Sequence, residues 1–117
     1  MSYKFNNEIP IYLQIADIIT NEITSGQLKP GQKLMSVREY ASYFSANPNT
    51  IAKSLQILED RNLIYTERTN GKFVTKEADL ITENKEGIFN EKVKEFIDTM
   101  TSIGYTKDEI IKKIEEM

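Results

Sequence analysis

The sequence contains neither cysteine nor histidine. Without cysteine there are no disulfides, no thiolate metal sites and no cysteine nucleophile. Without histidine the usual general base and the commonest zinc ligand are gone. No nucleophile–base pair stands out among the other side chains, so neither an enzyme nor a metal or cofactor site is expected. Long apolar runs are missing too. Gln14 and Asp17 interrupt the stretch from Ile9 to Ile19, which denies it the core of a signal peptide. Nothing approaches the roughly 20 apolar residues that cross a bilayer. The expectation is a cytoplasmic protein with no membrane partner.

What is present suits a folded chain. With 39% hydrophobic and 28% charged residues, the composition is globular rather than disordered. Its 117 residues amount to one domain with a small appendage, and so modest a core invites completion by a second copy. The net charge of −3 hides an asymmetry. Residues 1–76 carry nine Lys or Arg against seven Asp or Glu, and residues 77–117 carry six against eleven. A mildly basic first part and an acidic tail suggest two roles.

Helix and turn signals alternate along the first part. Pro10 opens a helix in which Ile11, Ile15, Ile18, Ile19 and Ile23 recur at helical spacing, with Glu22 the one polar member of the stripe. Ser25-Gly26 stops it, and Pro30-Gly31 marks a turn. Ser36-Val37-Arg38-Glu39 has the pattern of a capping box and begins a short second helix, with Tyr40, Tyr43 and Phe44 expected in the core. After only Ser45-Ala46, Asn47 caps a third helix with Pro48 in its first turn. Ile51, Leu55 and Leu58 should face inward, and the helix ends near Asn62. So tight a connection is helix-turn-helix spacing. Two β-prone stretches, 63–67 and 72–76, flank Asn70-Gly71, which predicts a hairpin turning at that dipeptide. The fold class is mainly α with a small β-hairpin (α+β), and residues 1–76 read as a winged helix-turn-helix domain.

Residues 77–90 are polar and contain Gly87, so they form either a linker or a loosely formed helix start. Phe89, Val93, Phe96, Ile97, Met100 and Ile103 then make a stripe at helical spacing that ends at Gly104. Thr106-Lys107-Asp108-Glu109 is a second capping box, opening a last helix with Ile110, Ile111 and Ile114 on one side. The stripe packs either on its own domain or on a second subunit. A helix pair behind a polar stretch has little local core, which favours the second subunit. Residues 77–117 are therefore expected to be a dimerisation tail. Glu83, Glu86, Glu91 and Glu95 read as a solvated helix face rather than a cation cage.

A helix-turn-helix reads DNA with a helix whose first turn offers short polar groups to base edges and phosphates. Asn47, Asn49, Thr50 and Lys53 meet that need. Asparagine pairs with adenine, and the threonine methyl packs on that of thymine. Ser36 and Arg38, at the start of the preceding helix, lie on the same side. Arg68, Asn70, Gly71 and Lys72 put charge and bare backbone at the wing tip, suited to the minor groove or phosphates. Each feature alone has an ordinary explanation as a cap, a turn or a solvated face. Their combination, in order, outweighs it, and the expected partner is double-stranded DNA.

In these features the sequence resembles the GntR family of bacterial transcription regulators. The resemblance rests on Pro10-Ile11-Tyr12, Gly26 to Gly31, Leu34, Ser36-Val37-Arg38-Glu39, Asn47-Pro48-Asn49-Thr50, Lys53, Leu58-Glu59, Leu63-Ile64 and Gly71-Lys72-Phe73-Val74, in order and at family spacing. The short tail is similar to the YtrA-like branch. This implies a homodimeric repressor on an inverted-repeat operator, often of a transporter operon, and names no small-molecule effector. It also implies DNA contacts at Arg38, Asn47, Asn49, Thr50 and Gly71. Three positions depart from the family pattern: Met35 replaces a proline, Asn62 a glycine after the third helix, and Thr69 the first wing glycine. The competing reading is a winged-helix protein-interaction module that binds no DNA. Arg38, Lys53 and Lys72 on one face count against it.

Overall fold

A computed structural model describes residues 4–117 as α1 (Ile11–Thr24), α2 (Val37–Phe44), α3 (Pro48–Asp60), β1 (Ile64–Glu67), β2 (Gly71–Val74), α4 (Ala78–Ser102) and α5 (Lys107–Glu116). The described residues form two compact units, which divide between Asn84 and Lys85.

The first unit is built on α1 and α3. Helix α1 buries Ile15, Ala16, Ile19, Thr20 and Ile23, one stripe of its wheel. Helix α3 buries Ile51, Ser54, Leu55 and Leu58. Ser54 is small enough to admit close approach, and its hydroxyl donates to the Tyr12 carbonyl of α1 at 2.7 Å. Helix α2 closes the core with Tyr40 and Phe44, whose rings stack at 5.9 Å. Tyr43 is a correction to the expected core. It is 36% exposed and lies at the rim, edge-on to Phe44 at 5.0 Å. Glu22, the polar member of the α1 stripe, is half-buried, and that burial raises its carboxyl pKa. Burial, and secondarily the charge of Glu22, pushes the Tyr40 hydroxyl up to about 12.

The turn between α2 and α3 is tight because Ser45 adopts a left-handed backbone, φ 52°, and Ala46 N donates back to Ala41 O at 3.0 Å. Asn62 takes the same conformation, φ 61°, where the chain leaves α3. The hairpin forms around Asn70-Gly71 as expected, with a connection one residue shorter than the four between the expected strands 63–67 and 72–76. Glu67 pairs with Gly71, so the connection is Arg68-Thr69-Asn70 and Gly71 begins β2. The register buries Ile64 opposite Val74, which keeps the apolar face of the hairpin on the core. A third extended segment joins β2. Gly31 N donates to Val74 O, Val74 N to Gln32 O and Leu34 N to Lys72 O, each at 2.9 Å.

Residues 77–90 are not a linker, since α4 runs unbroken from Ala78 through Gly87. One glycine costs about 1 kcal/mol against alanine in a helix, too little to outweigh the helix-forming Glu83, Lys85, Glu86, Glu91 and Lys92 around it. In the first unit Ile81 packs on the core, and Asn84 Nδ2 donates to Arg61 O at 3.0 Å. The second unit holds residues 85–102 of α4 and all of α5. Gly104, φ 107°, turns the chain, and Tyr105 N closes back on Met100 O at 3.1 Å. The Thr106–Glu109 capping box forms as its sequence predicts. Among the described residues, no helix is long and apolar enough to cross a membrane.

A Cβ on Gly87 would meet nothing within 4 Å. Gly87→Ala is therefore expected to stabilise the protein by about 0.5–1 kcal/mol, measured by urea unfolding followed by circular dichroism. A lower midpoint would mean that the helix needs a glycine there.

Candidate nucleic-acid interface

Two helix starts and the wing carry the predicted contacts. At α2, Glu39 N donates to Ser36 Oγ at 3.1 Å, and Ser36 N donates to Glu39 Oε1 at 2.9 Å. This reciprocal cap fixes the turn that leaves Arg38 exposed. It also holds the Glu39 carboxyl below its ordinary value, through the Ser36 amide first, then its hydroxyl, with nearby Lys33 adding to both. At α3, Asn47 Oδ1 accepts from Asn49 N at 2.8 Å, and Pro48 occupies the first turn. Ser36 and Asn47 thus use their side-chain oxygens as caps. Asn49 and Lys53 are exposed and Thr50 is half-buried, with Ala52, Gln56 and Asp60 completing the open face of α3. Lys53 Nζ stands 5.5 Å above the Tyr12 ring, a cation–π contact that orients it.

In the wing, Arg68, Thr69 and Asn70 are exposed, and Asn70 Nδ2 donates to Glu67 Oε2 at 3.1 Å. Gly71 is glycine for its backbone, whose φ is 105°. A Cβ there would come within 3.3 Å of Lys33 Cε, but that neighbouring side chain is flexible and can give way. Lys72 is placed differently from its neighbours. Its Nζ donates to Glu59 Oε1 and, at 2.8 Å, to Thr66 Oγ1, and the Thr66 hydroxyl donates to the same Glu59 oxygen. Lys72 first, and Thr66 second, hold the Glu59 carboxyl below its ordinary value.

The start of α2 and the wing meet around a cleft of about 420 Å³ lined by Ser36, Glu39, Asn70, Gly71, Lys72 and Lys33 among others. Arg38, Asn47, Asn49, Thr50, Lys53 and Arg68 do not line it. Sequence reasoning missed Lys33, Tyr12 and Glu59. Lys33 reaches the wing because it bridges Phe73 across a strand with no sequence signal of its own. For the tail residues, Phe89 is 67% and Ile103 64% exposed, and Val93, Phe96, Ile111 and Ile114 are also exposed. Ile97 and Met100 are half-buried, whereas Ile110 is 7% exposed and faces into the second unit itself. Among the described residues, no group of three or more carboxylates gathers that could hold a metal ion.

Residues 11–74 match the profile of the family described as bacterial regulatory proteins, gntR family. The HTH-type transcriptional regulator YhcF of Bacillus subtilis is 37% identical over 97% of this chain and 94% of its own. The HTH-type transcriptional repressor YtrA of the same organism is 38% identical over 75% of this chain and 68% of its own. These relatives are transcriptional regulators, not enzymes. A GntR family transcriptional regulator from Listeria monocytogenes superposes with a TM-score of 0.92 at 35% identity, over 97% of this chain and 99% of that one. AraR(DBD), solved in complex with operator ORX1, superposes with a TM-score of 0.59 at 26% identity, over 64% of this chain and 95% of that one.

The shifted carboxylates set the pH dependence. Glu39 and Glu59 titrate below 4.5 when folded, so their stabilisation is complete above that value and is lost as pH falls through the folded pKa. Glu22 is raised, so it has the opposite sign and loses stability as pH rises past 4.5. In thermal melts from about pH 6 to about pH 3, Glu39→Gln and Glu59→Gln should each flatten the acid-side loss, while Glu22→Gln should gain stability only at the upper end. Unchanged slopes in the first two variants would show that those carboxylates titrate as free groups.

Proposed function

Since the chain belongs to the GntR family of bacterial regulatory proteins, we propose that it is a sequence-specific transcriptional repressor that binds an inverted-repeat operator as a homodimer. One observation carries the DNA-binding part. The first two turns of α3 present Asn49 and Lys53 to solvent while the opposite face is locked into the core, and Arg38 is exposed at the start of the helix before it. In this reading Asn49 and Thr50 meet base edges, and Arg38 makes a bidentate contact to guanine or grips the backbone. Lys53 and Arg68 bind phosphates. Ser36 and Asn47 hold the two helix starts in place and present backbone amides, and Gly71 lets the wing backbone approach closely. The operator bound by the similar AraR(DBD) supports double-stranded DNA as the partner. The name of YtrA supports repression.

The dimer rests on the second unit. Phe89, Val93, Phe96, Ile103, Ile111 and Ile114 are exposed there, more apolar surface than a two-helix unit leaves to water without a partner. Pairing about a two-fold axis sets two recognition helices in successive major grooves, roughly 34 Å apart, which an inverted repeat matches.

Selection of bound duplexes from a random library tests the reading. An inverted repeat should be enriched, and Arg38→Ala should weaken binding to it by about 1–3 kcal/mol. Binding without preference over competitor DNA would overturn the repressor. In sedimentation equilibrium at micromolar concentration the full chain should be a dimer, and a monomer would overturn that part alone.

A further inference from the structure

Lys72 points inward. Residues two apart on a strand share a face, so Lys72 lies on the side of buried Val74, and Thr66 opposite it lies on the side of buried Ile64. Ile64 and Val74 occupy the base of the hairpin, while Thr66 and Lys72 lie one step nearer its turn. That face looks onto α3, whose last turn supplies Glu59. The contacts Lys72–Glu59, Lys72–Thr66 and Thr66–Glu59 close a ring that joins α3, β1 and β2. Its ion pair is partly sheltered, the Lys72 and Glu59 side chains being 29% and 27% exposed against 77% and 61% for Lys94 and Asp98 on α4, while Thr66 lies at the open edge. The strands the ring braces are only four residues long, and while β2 is also paired to residues 31–34, β1 pairs with β2 alone among the described residues.

We propose that Glu59, Thr66 and Lys72 form a polar strut that fixes the wing on the recognition helix, with Glu59 a positioning residue for DNA binding and Lys72 its partner rather than a phosphate contact. This rests on the DNA-binding reading above and replaces the expectation that Lys72 itself touches DNA. The electrostatics agree. A carboxylate beside a DNA-binding face repels phosphate unless it is neutralised, and Lys72 neutralises Glu59. A lysine already paired inside the protein releases no counterion from DNA, so it adds nothing to the salt dependence of binding.

Two measurements test the strut in Glu59→Gln, Lys72→Met and the double variant. The first needs no DNA. Amide hydrogen exchange across residues 64–74 should quicken in Glu59→Gln while the buried turns of α1 and α3 keep their protection. The second is affinity, over a series of salt concentrations, for the duplex selected by the wild-type protein. Glu59→Gln should bind about three- to tenfold more weakly with an unchanged salt slope. Lys72→Met should be weaker still, because it strands the Glu59 carboxylate. The double variant should recover to the level of Glu59→Gln and keep the wild-type slope. If Lys72 contacts phosphate instead, Glu59→Gln binds at least as tightly as wild type and the double variant loses about one unit of slope; that result overturns the proposal. Unchanged hairpin exchange in Glu59→Gln overturns the strut but not the repressor. A wild-type protein that selects no duplex overturns the repressor reading and the positioning role with it.

Discussion

Everything the outer face of α3 can do depends on how its inner face is packed against α1. Ile51, Ser54, Leu55 and Leu58 are at most 1% exposed, and burying each of the aliphatic three contributes roughly 1.5–3 kcal/mol. Apolar burial alone would tolerate some rotation of one helix against the other. The Ser54 hydroxyl, which lies between the Tyr12 carbonyl of α1 at 2.7 Å and the Thr50 carbonyl of its own helix at 3.1 Å, adds a directional contact that favours one rotation. With α3 fixed about its axis, Asn49 and Lys53 have no choice but to face solvent. The stacking of Lys53 on Tyr12 ties the open face back to the same helix contact.

The rest of the first unit hangs from α3. Its cap at Asn47 sets where the polar turn begins, and the left-handed Ser45 brings α2 round so that its own capped start comes beside the wing. Its last turn supplies Glu59 to the hairpin, and its final carbonyls receive Arg61 and Asn62 before β1. Arg61 reaches back to α1, donating to the buried Thr20 hydroxyl at 2.9 Å. Polar side chains here serve as joints. Among the described residues, no buried side-chain nitrogen or oxygen lacks a hydrogen-bond partner, which a small core needs if its helices are to hold one arrangement.

Much of this was legible in the sequence because it is local. The caps at Ser36, Asn47 and Thr106 are decided by side chains within three residues, and the helices they open start where the caps predict. The stripes of α1 and α3 follow from spacing alone. What escaped depends on partners distant in the chain. Asn70-Gly71 marked the hairpin, but that Gly71 already pairs with Glu67 follows from the cross-strand register. Lys72 shares a face with buried Val74 by strand alternation, but that Glu59 of α3 waits on that face depends on the tertiary packing. Lys33 joins the wing through hydrogen bonds of its neighbours to β2. Gly87 looked like a break only because its cost was not set against the helix formers around it.

The most direct test of the account is to map, by nitrogen–proton correlation spectra, which amides respond when the full chain is titrated with the duplex it selects. The account predicts changes concentrated at Ser36 to Arg38, at Asn47 to Lys53 and at Arg68 to Gly71, with the buried turns of α1 little affected. Changes centred on residues 85–117, with the α3 start silent, would contradict it.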